Sequence, residues 1–162
     1  MKKTLIILIV SLLISCGGKE EKKKESFTIK KKPETEAAVK TTEKVAASKQ
    51  IDLTNKGVGP ITSLELASEI DDAMVAHGAD VFKKMCTACH RSNKKFIGPP
   101  PTDILKRRTP EWVMNMILNP EGMVANDPLA KALLIEFNGS QMANQNLSEE
   151  EARAVLEYFR TL

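Results

Sequence analysis

Cys86-Thr87-Ala88-Cys89-His90 sets two thiols one helical turn apart, with an imidazole beside the second. Thiols at that spacing can each add to a vinyl group of one porphyrin, and the adjacent histidine then reaches the iron; this is the attachment signature of c-type haem. A redox dithiol would want a strand and a βαβ setting, which the surrounding pattern does not offer. A structural zinc site would want further ligands at tetrahedral spacing, and no second Cys or His pair follows. The expected cofactor is one covalent haem c, held by Cys86 and Cys89, with His90 as an axial ligand.

Six-coordination needs a second axial group, and methionine is a soft, neutral ligand that raises the potential. Met1, Met74 and Met85 precede the motif. Met114 and Met116 share a helical stripe with Trp112, where methionine is more often core filler. Met123, in a loop at Glu121-Gly122-Met123, and Met142, in a longer loop ahead of Leu147-Ser148, remain as candidates. The only other histidine, His77, stands just before Gly78 and reads as a surface or capping residue.

The elements that must position these groups are helical. Gly78 precedes Val81, Phe82 and Met85, a short amphipathic stretch leading into the motif. Thr109-Pro110-Glu111 supplies an N-cap, a proline at the first helical position and an early acid, and Asp127-Pro128 repeats the signal. Leu129, Leu133 and Phe137 then form a stripe that Asn138-Gly139 stops. Ser148 and Glu151 have capping-box spacing ahead of Ala152, Val155, Leu156, Phe159 and Leu162. Pro99-Pro100-Pro101 forbids helix in the middle, and neither strand alternation nor an internal repeat is visible. The fold class expected is all-α: four to five short helices wrapped around one haem over residues 61–162. That stretch holds six of the seven aromatic residues, and a haem would supply bulk that so few aromatics do not.

Residues from about 65 to 162 resemble a class I monohaem cytochrome c. The resemblance rests on Gly78-Ala79-Asp80-Val81-Phe82 before the motif, Ile97-Gly98-Pro99-Pro100 after it, a late methionine, and Leu147-Ser148-Glu149-Glu150-Glu151 opening the last helix. It implies that the first and last helices cross, bringing Phe82 near Leu156 or Phe159. It implies that the Pro99 carbonyl accepts the Nδ1 proton of His90. It also implies that Met142 is the sixth ligand, with Met123 the runner-up; Ala143 stands where the family usually has proline. Trp112 has two readings, a hydrogen bond from its indole to a haem propionate or plain core packing.

Residues 1–15 read as a secretory signal: Lys2 and Lys3, then an apolar run too short to span a bilayer. Leu13-Ile14-Ser15-Cys16 resembles the lipobox of bacterial lipoproteins, which makes Cys16 the lipidation site and accounts for the odd cysteine. Several acyl chains on one residue give stable membrane attachment. Residues 16–60 read as a charged, solvated tether whose root-mean-square span would be roughly 40 Å. Lys19-Glu20-Glu21 also resembles a surface-export signal. The location expected is a bacterial cell envelope, lipid-anchored and facing the periplasm or the surface.

The formal charge is +3, too mild to indicate nucleic acid. From residue 51 to 162 it is −3, yet Lys83, Lys84, Arg91, Lys94, Lys95, Lys106, Arg107 and Arg108 crowd the motif with only Asp103 among them. Such a face would steer acidic redox partners; alternatively, some of these charges neutralise propionates and the rest are solvated. The function expected is a membrane-tethered carrier of single electrons between respiratory complexes and exported redox enzymes, not an enzyme. The alternatives are a haem enzyme or gas sensor with a displaceable methionine, or a fixed electron-entry subunit of a larger oxidoreductase.

Overall fold

The structure is a computed structural model that describes residues 45–162; the signal at 1–15, Cys16 and the charged stretch through residue 44 lie outside the described residues. Five α-helices follow in order: α1 (Asp72–Met85), α2 (Pro110–Leu118), α3 (Pro120–Asn126), α4 (Pro128–Glu136) and α5 (Glu149–Phe159), with one 3-10 turn at Ile104–Lys106. Among the described residues the only β pairing is an isolated parallel bridge between Asp52 and Arg108. None of the described helices is long and apolar enough to cross a membrane. The all-α expectation holds.

Prolines and caps set the helix boundaries. Pro110, Pro120 and Pro128 each begin a helix, where their missing N–H costs nothing. Thr109, Asn119 and Asp127 each accept a backbone N–H just inside the helix they precede. Residues 110–136 are thereby cut into three short helices. Glu121-Gly122-Met123, read from sequence as a loop, lies within α3. Helix α1 begins at the cap Asp71, which accepts from the Met74 amide at 2.9 Å. His77 is therefore an exposed residue in mid-helix, and its capping role is corrected to Asp71.

Helices α1 and α5 cross at Gly78, which is buried against the backbone of Ala154 and Val155. Phe82 packs edge-on against Phe159 and tilted against Tyr158, with ring centroids 5.6 Å apart in both pairs. Val81, Val155 and Leu156 join Trp112, Val113, Ile117, Leu133 and Phe137 in one core. Each such side chain contributes roughly 1.5–3 kcal/mol when fully buried.

Glu157 on α5 is 1% exposed, yet charged partners surround it. Arg153 and Arg160 donate to its carboxylate at 2.6 Å, and the Asp71 amide donates at 3.2 Å. Burial alone would raise its pKa, but these hydrogen bonds and the two guanidinium charges outweigh burial and hold it below the ordinary 4.5. A depressed carboxylate contributes stability above its unfolded value and loses it as pH falls through its folded value. Glu157→Gln is accordingly expected to destabilise the domain at pH 7. The gap from wild type should narrow as pH falls from the ordinary carboxylate value of 4.5 through the lower folded value, as followed by urea unfolding at each pH.

Residues 45–60 are not tether. Ser48 donates from its amide and its hydroxyl to the Glu136 carboxylate, at 2.8 and 2.5 Å. Asn55 donates to Asp127 at 2.7 Å, and its carbonyl accepts from the Thr109 hydroxyl at 2.6 Å. The buried Asn115 amide bonds Lys56 O and both backbone groups of Ile61. Ala47 and Ile61 are buried in the core. Packing onto the domain thus reaches back at least to Ala47, fourteen residues ahead of the boundary at 61 expected from composition. Polar side chains reaching backbone groups hold this segment, and such contacts leave no hydrophobic period.

Candidate functional site

The chain leaves α1 through the Cys-x-x-Cys-His turn. The amides of Cys89 and His90 both donate to the Cys86 carbonyl, at 3.0 and 2.9 Å, which continues the helical winding. The following loop returns to this turn, and the Gly98 amide donates to the Cys89 carbonyl at 2.9 Å. That pairing sets Pro99 beneath the imidazole, with its carbonyl oxygen 2.8 Å from His90 Nδ1. A carbonyl can only accept, so Nδ1 carries the proton and the Nε2 lone pair is left for a metal.

Gly98 lies close under the ring. A Cβ there would stand 2.8 Å from His90 Nδ1 and 3.0 Å from Nε2. Gly98→Ala is expected to swing the imidazole off the Pro99 carbonyl. The measurable result is a lower yield of six-coordinate holoprotein and broadened proximal-histidine resonances in NMR.

Two contiguous cavities, of about 200 and 100 Å³, open beside this turn. Cys86, His90, Pro99, Ile104, Trp112, Met116 and Met142 line both. Leu133 and Phe137 extend one and Leu147, Val155 and Phe159 the other, so the walls are largely apolar. Met85, Cys89 and Ile97 line the larger cavity and are also solvent-exposed, which puts them at its mouth. Burial, with a smaller contribution from Cys89, pushes the Cys86 thiol up to about 11. A redox dithiol needs a thiol lowered toward neutrality, which this environment does not provide.

Met142 and Met123 are separated clearly. Met142 lines both cavities together with His90. Met123 is fully buried beneath Gly57, and its Sδ accepts from the Val58 amide at 3.0 Å. It lines neither cavity and is removed as a candidate. Met116, read as core filler, faces both cavities.

Two assignments change. The Trp112 indole N–H donates to Asp127 Oδ1 at 3.3 Å, so it is already engaged. Asp127 also accepts from the Ala130 amide and Asn55, both at 2.7 Å. Trp112 is thus a buried wall of the cavity rather than a propionate donor, and the packing reading prevails. Arg108, expected on the basic surface, is 1% exposed and lies over the Trp112 ring at 5.3 Å. Arg107 is half-buried, and both arginines line the larger cavity. The remaining face is Lys83, Lys84, Lys94, Lys95 and Lys106, with Arg91 partly covered over Phe96 and Lys95 over Phe137.

The residues fit a haem. One thiol lines the wall and a second stands at the mouth, one histidine has its Nδ1 fixed, and the walls are largely apolar. The Nε–H groups of Arg107 and Arg108 are buried without a partner among the described residues. Unmet buried donors beside an apolar cavity call for an anion, and a porphyrin with two carboxylates and two vinyl groups satisfies every one of these features.

The family model described as cytochrome c matches residues 75–162. Among solved structures, cytochrome c from Rhodothermus marinus is 41% identical, over 72% of this chain and 92% of that one, with a TM-score of 0.62. An engineered cytochrome c from the same organism, Rma TDE, is 40% identical over 72% of this chain and 93% of its own, also at 0.62. The same engineered protein bound to a carbene intermediate matches at 40% identity and a TM-score of 0.59. Comparison with curated proteins gives no match.

Proposed function

This chain belongs to the cytochrome c family and carries haem c, and from that premise we propose that it is a lipid-anchored carrier of single electrons in a bacterial cell envelope. Members of the family transfer electrons through one covalently attached haem, whose iron cycles between its ferrous and ferric states. Cys86 and Cys89 hold the porphyrin, His90 and Met142 ligate the iron, and Cys16 holds the membrane.

One observation carries the reading: His90 and Met142 line the same cavities, with His90 Nδ1 fixed by Pro99 at 2.8 Å. With His90 and Met142 both supplied to the iron, no coordination position would be left for a substrate, which favours transfer over catalysis. The hydrogen bond from Nδ1 orients the ring and raises its basicity. Exposed Met85, Cys89 and Ile97 at the cavity mouth, beside Lys83, Lys84, Lys94 and Lys95, suit an acidic redox partner approaching the cofactor edge.

Anchoring is tested on the full chain expressed in a bacterial host. Wild type should enter the detergent phase after Triton X-114 partition, and Cys16→Ser should move to the aqueous phase with an unchanged haem spectrum. Detergent partition retained by Cys16→Ser would overturn the anchor. Carriage is tested by stopped flow: oxidation of the ferrous protein by an acidic partner should slow steeply with added salt.

A further inference from the structure

The segment ahead of α1 and the cofactor site meet at one side chain. Arg108 Nη2 donates to the Ala47 carbonyl at 2.6 Å, and its Nη1 donates to the carbonyls of Gln50 and Arg107. Its Nε–H is buried and has no partner among the described residues, and the side chain lines the larger cavity. Burial and the neighbouring charge of Arg107 disfavour its own charge, which an anion in the cavity would offset.

We propose that residues 45–52 are a wall of the haem site, added outside the stretch that the family model matches, and that Arg108 couples this wall to the cofactor. The outer nitrogens of Arg108 hold the wall, and its Nε holds a haem carboxylate. Docking of the wall and seating of the carboxylate then stabilise each other by the same factor, because both act on one guanidinium.

Two further observations support this. Ser48, which belongs to the wall, itself lines the larger cavity. Arg107 also meets the wall, through its backbone: its carbonyl accepts from the Asp52 amide at 2.9 Å, and its buried Nε–H has no partner among the described residues. The family model begins at residue 75, so the helical frame it matches does not include this segment.

The test loosens the wall from a residue that lies outside the cavity. Glu136 on α4 accepts both Ser48 bonds and lines neither cavity. In the intact holoprotein, Glu136→Gln should speed tryptic cleavage after Lys49 about tenfold, the loss expected for a charge-assisted bond. It should also shift the propionate-bending band in the resonance Raman spectrum. Arg108→Lys, which keeps the charge but loses the Nε donor and the fork, should produce both changes. On the propionate band the double variant should go no further than Arg108→Lys alone. Faster cleavage with an unmoved propionate band, no change in either, or additive effects of the two substitutions on that band would overturn the coupling. If Arg108→Lys does not accumulate as holoprotein, Glu136→Gln decides alone, by whether its two readouts move together.

Discussion

Met142→Ala will lower the reduction potential by on the order of 0.1 V or more, a modest part of the roughly 0.8 V that axial ligands span. Thioether sulfur favours ferrous iron, so removing it favours the ferric state. The ferric methionine–iron charge-transfer band should vanish, and the iron should become high-spin and bind imidazole or cyanide promptly. Fold should survive, because Met142 is half-buried in a loop rather than set in the packed α1–α5 crossing. Met→Ala costs about 2–5 kcal/mol in a core, and a half-buried methionine falls at the low end of that range. The loop is itself lightly held. Asn138 and Gly139, at φ 57° and 75°, turn the chain out of α4, and Asn146 turns it again at φ 52°. Asn144 ties the loop to the Leu118 carbonyl at 3.3 Å. Redox titration and the ferric absorption spectrum measure the outcome. An unchanged potential and band would move the ligand to Met116, which lines both cavities, and Met116→Ala would then abolish the band.

Much of the site was legible because its chemistry is local. Cys86, Cys89 and His90 lie within five consecutive residues, and one helical turn fixes their relation whatever surrounds them. Pro99 was reachable through the resemblance. The capping signals at Thr109, Asp127 and Ser148 also read correctly, since each side chain closes a bond within three residues. Asn119-Pro120-Glu121 repeats the pattern of Thr109-Pro110-Glu111, so α3 could have been found by the same rule.

What escaped was long-range and polar. Ser48 to Glu136, Asn115 to Ile61 and Arg108 to Ala47 each join residues more than fifty positions apart. Such bonds leave no periodicity and occur in stretches of ordinary charge and low apolarity, the composition that also marks a tether. The basic cluster misled for a related reason. Eight neighbouring cations look alike in sequence, yet Lys83 and Lys84 stay in water while Arg108 is buried against Trp112. A guanidinium tolerates this, since its planar donors can meet several carbonyls at once.

Gly78→Ala separates intrinsic helix propensity from tertiary packing, because the two predict opposite signs. Within a helix, alanine is better than glycine by about 1 kcal/mol, so propensity alone predicts a more stable α1. The crossing predicts the reverse. A Cβ at Gly78 would overlap the Ala154 carbonyl and stand 2.9 Å from the Val155 amide nitrogen. Both obstacles are backbone atoms of α5, held in its own hydrogen-bond ladder, so neither can turn aside as a side chain could. The helices must instead move apart, loosening the Phe82–Phe159 pair and opening the contact of Val81 with its neighbours. Overpacking with loss of that core should cost roughly 3 kcal/mol or more net, a large part of the 5–15 kcal/mol that holds an ordinary domain. Guanidinium unfolding of the holoprotein, followed by far-ultraviolet circular dichroism, should show a markedly lower midpoint. Ala76→Gly supplies the control: Ala76 is exposed on the same helix, and its loss should cost only about 1 kcal/mol. A Gly78→Ala midpoint at or above wild type would mean that α1 and α5 do not meet there. The consequence would reach the cofactor, since α1 delivers Cys86, Cys89 and His90, and its packing on α5 sets where those three groups stand.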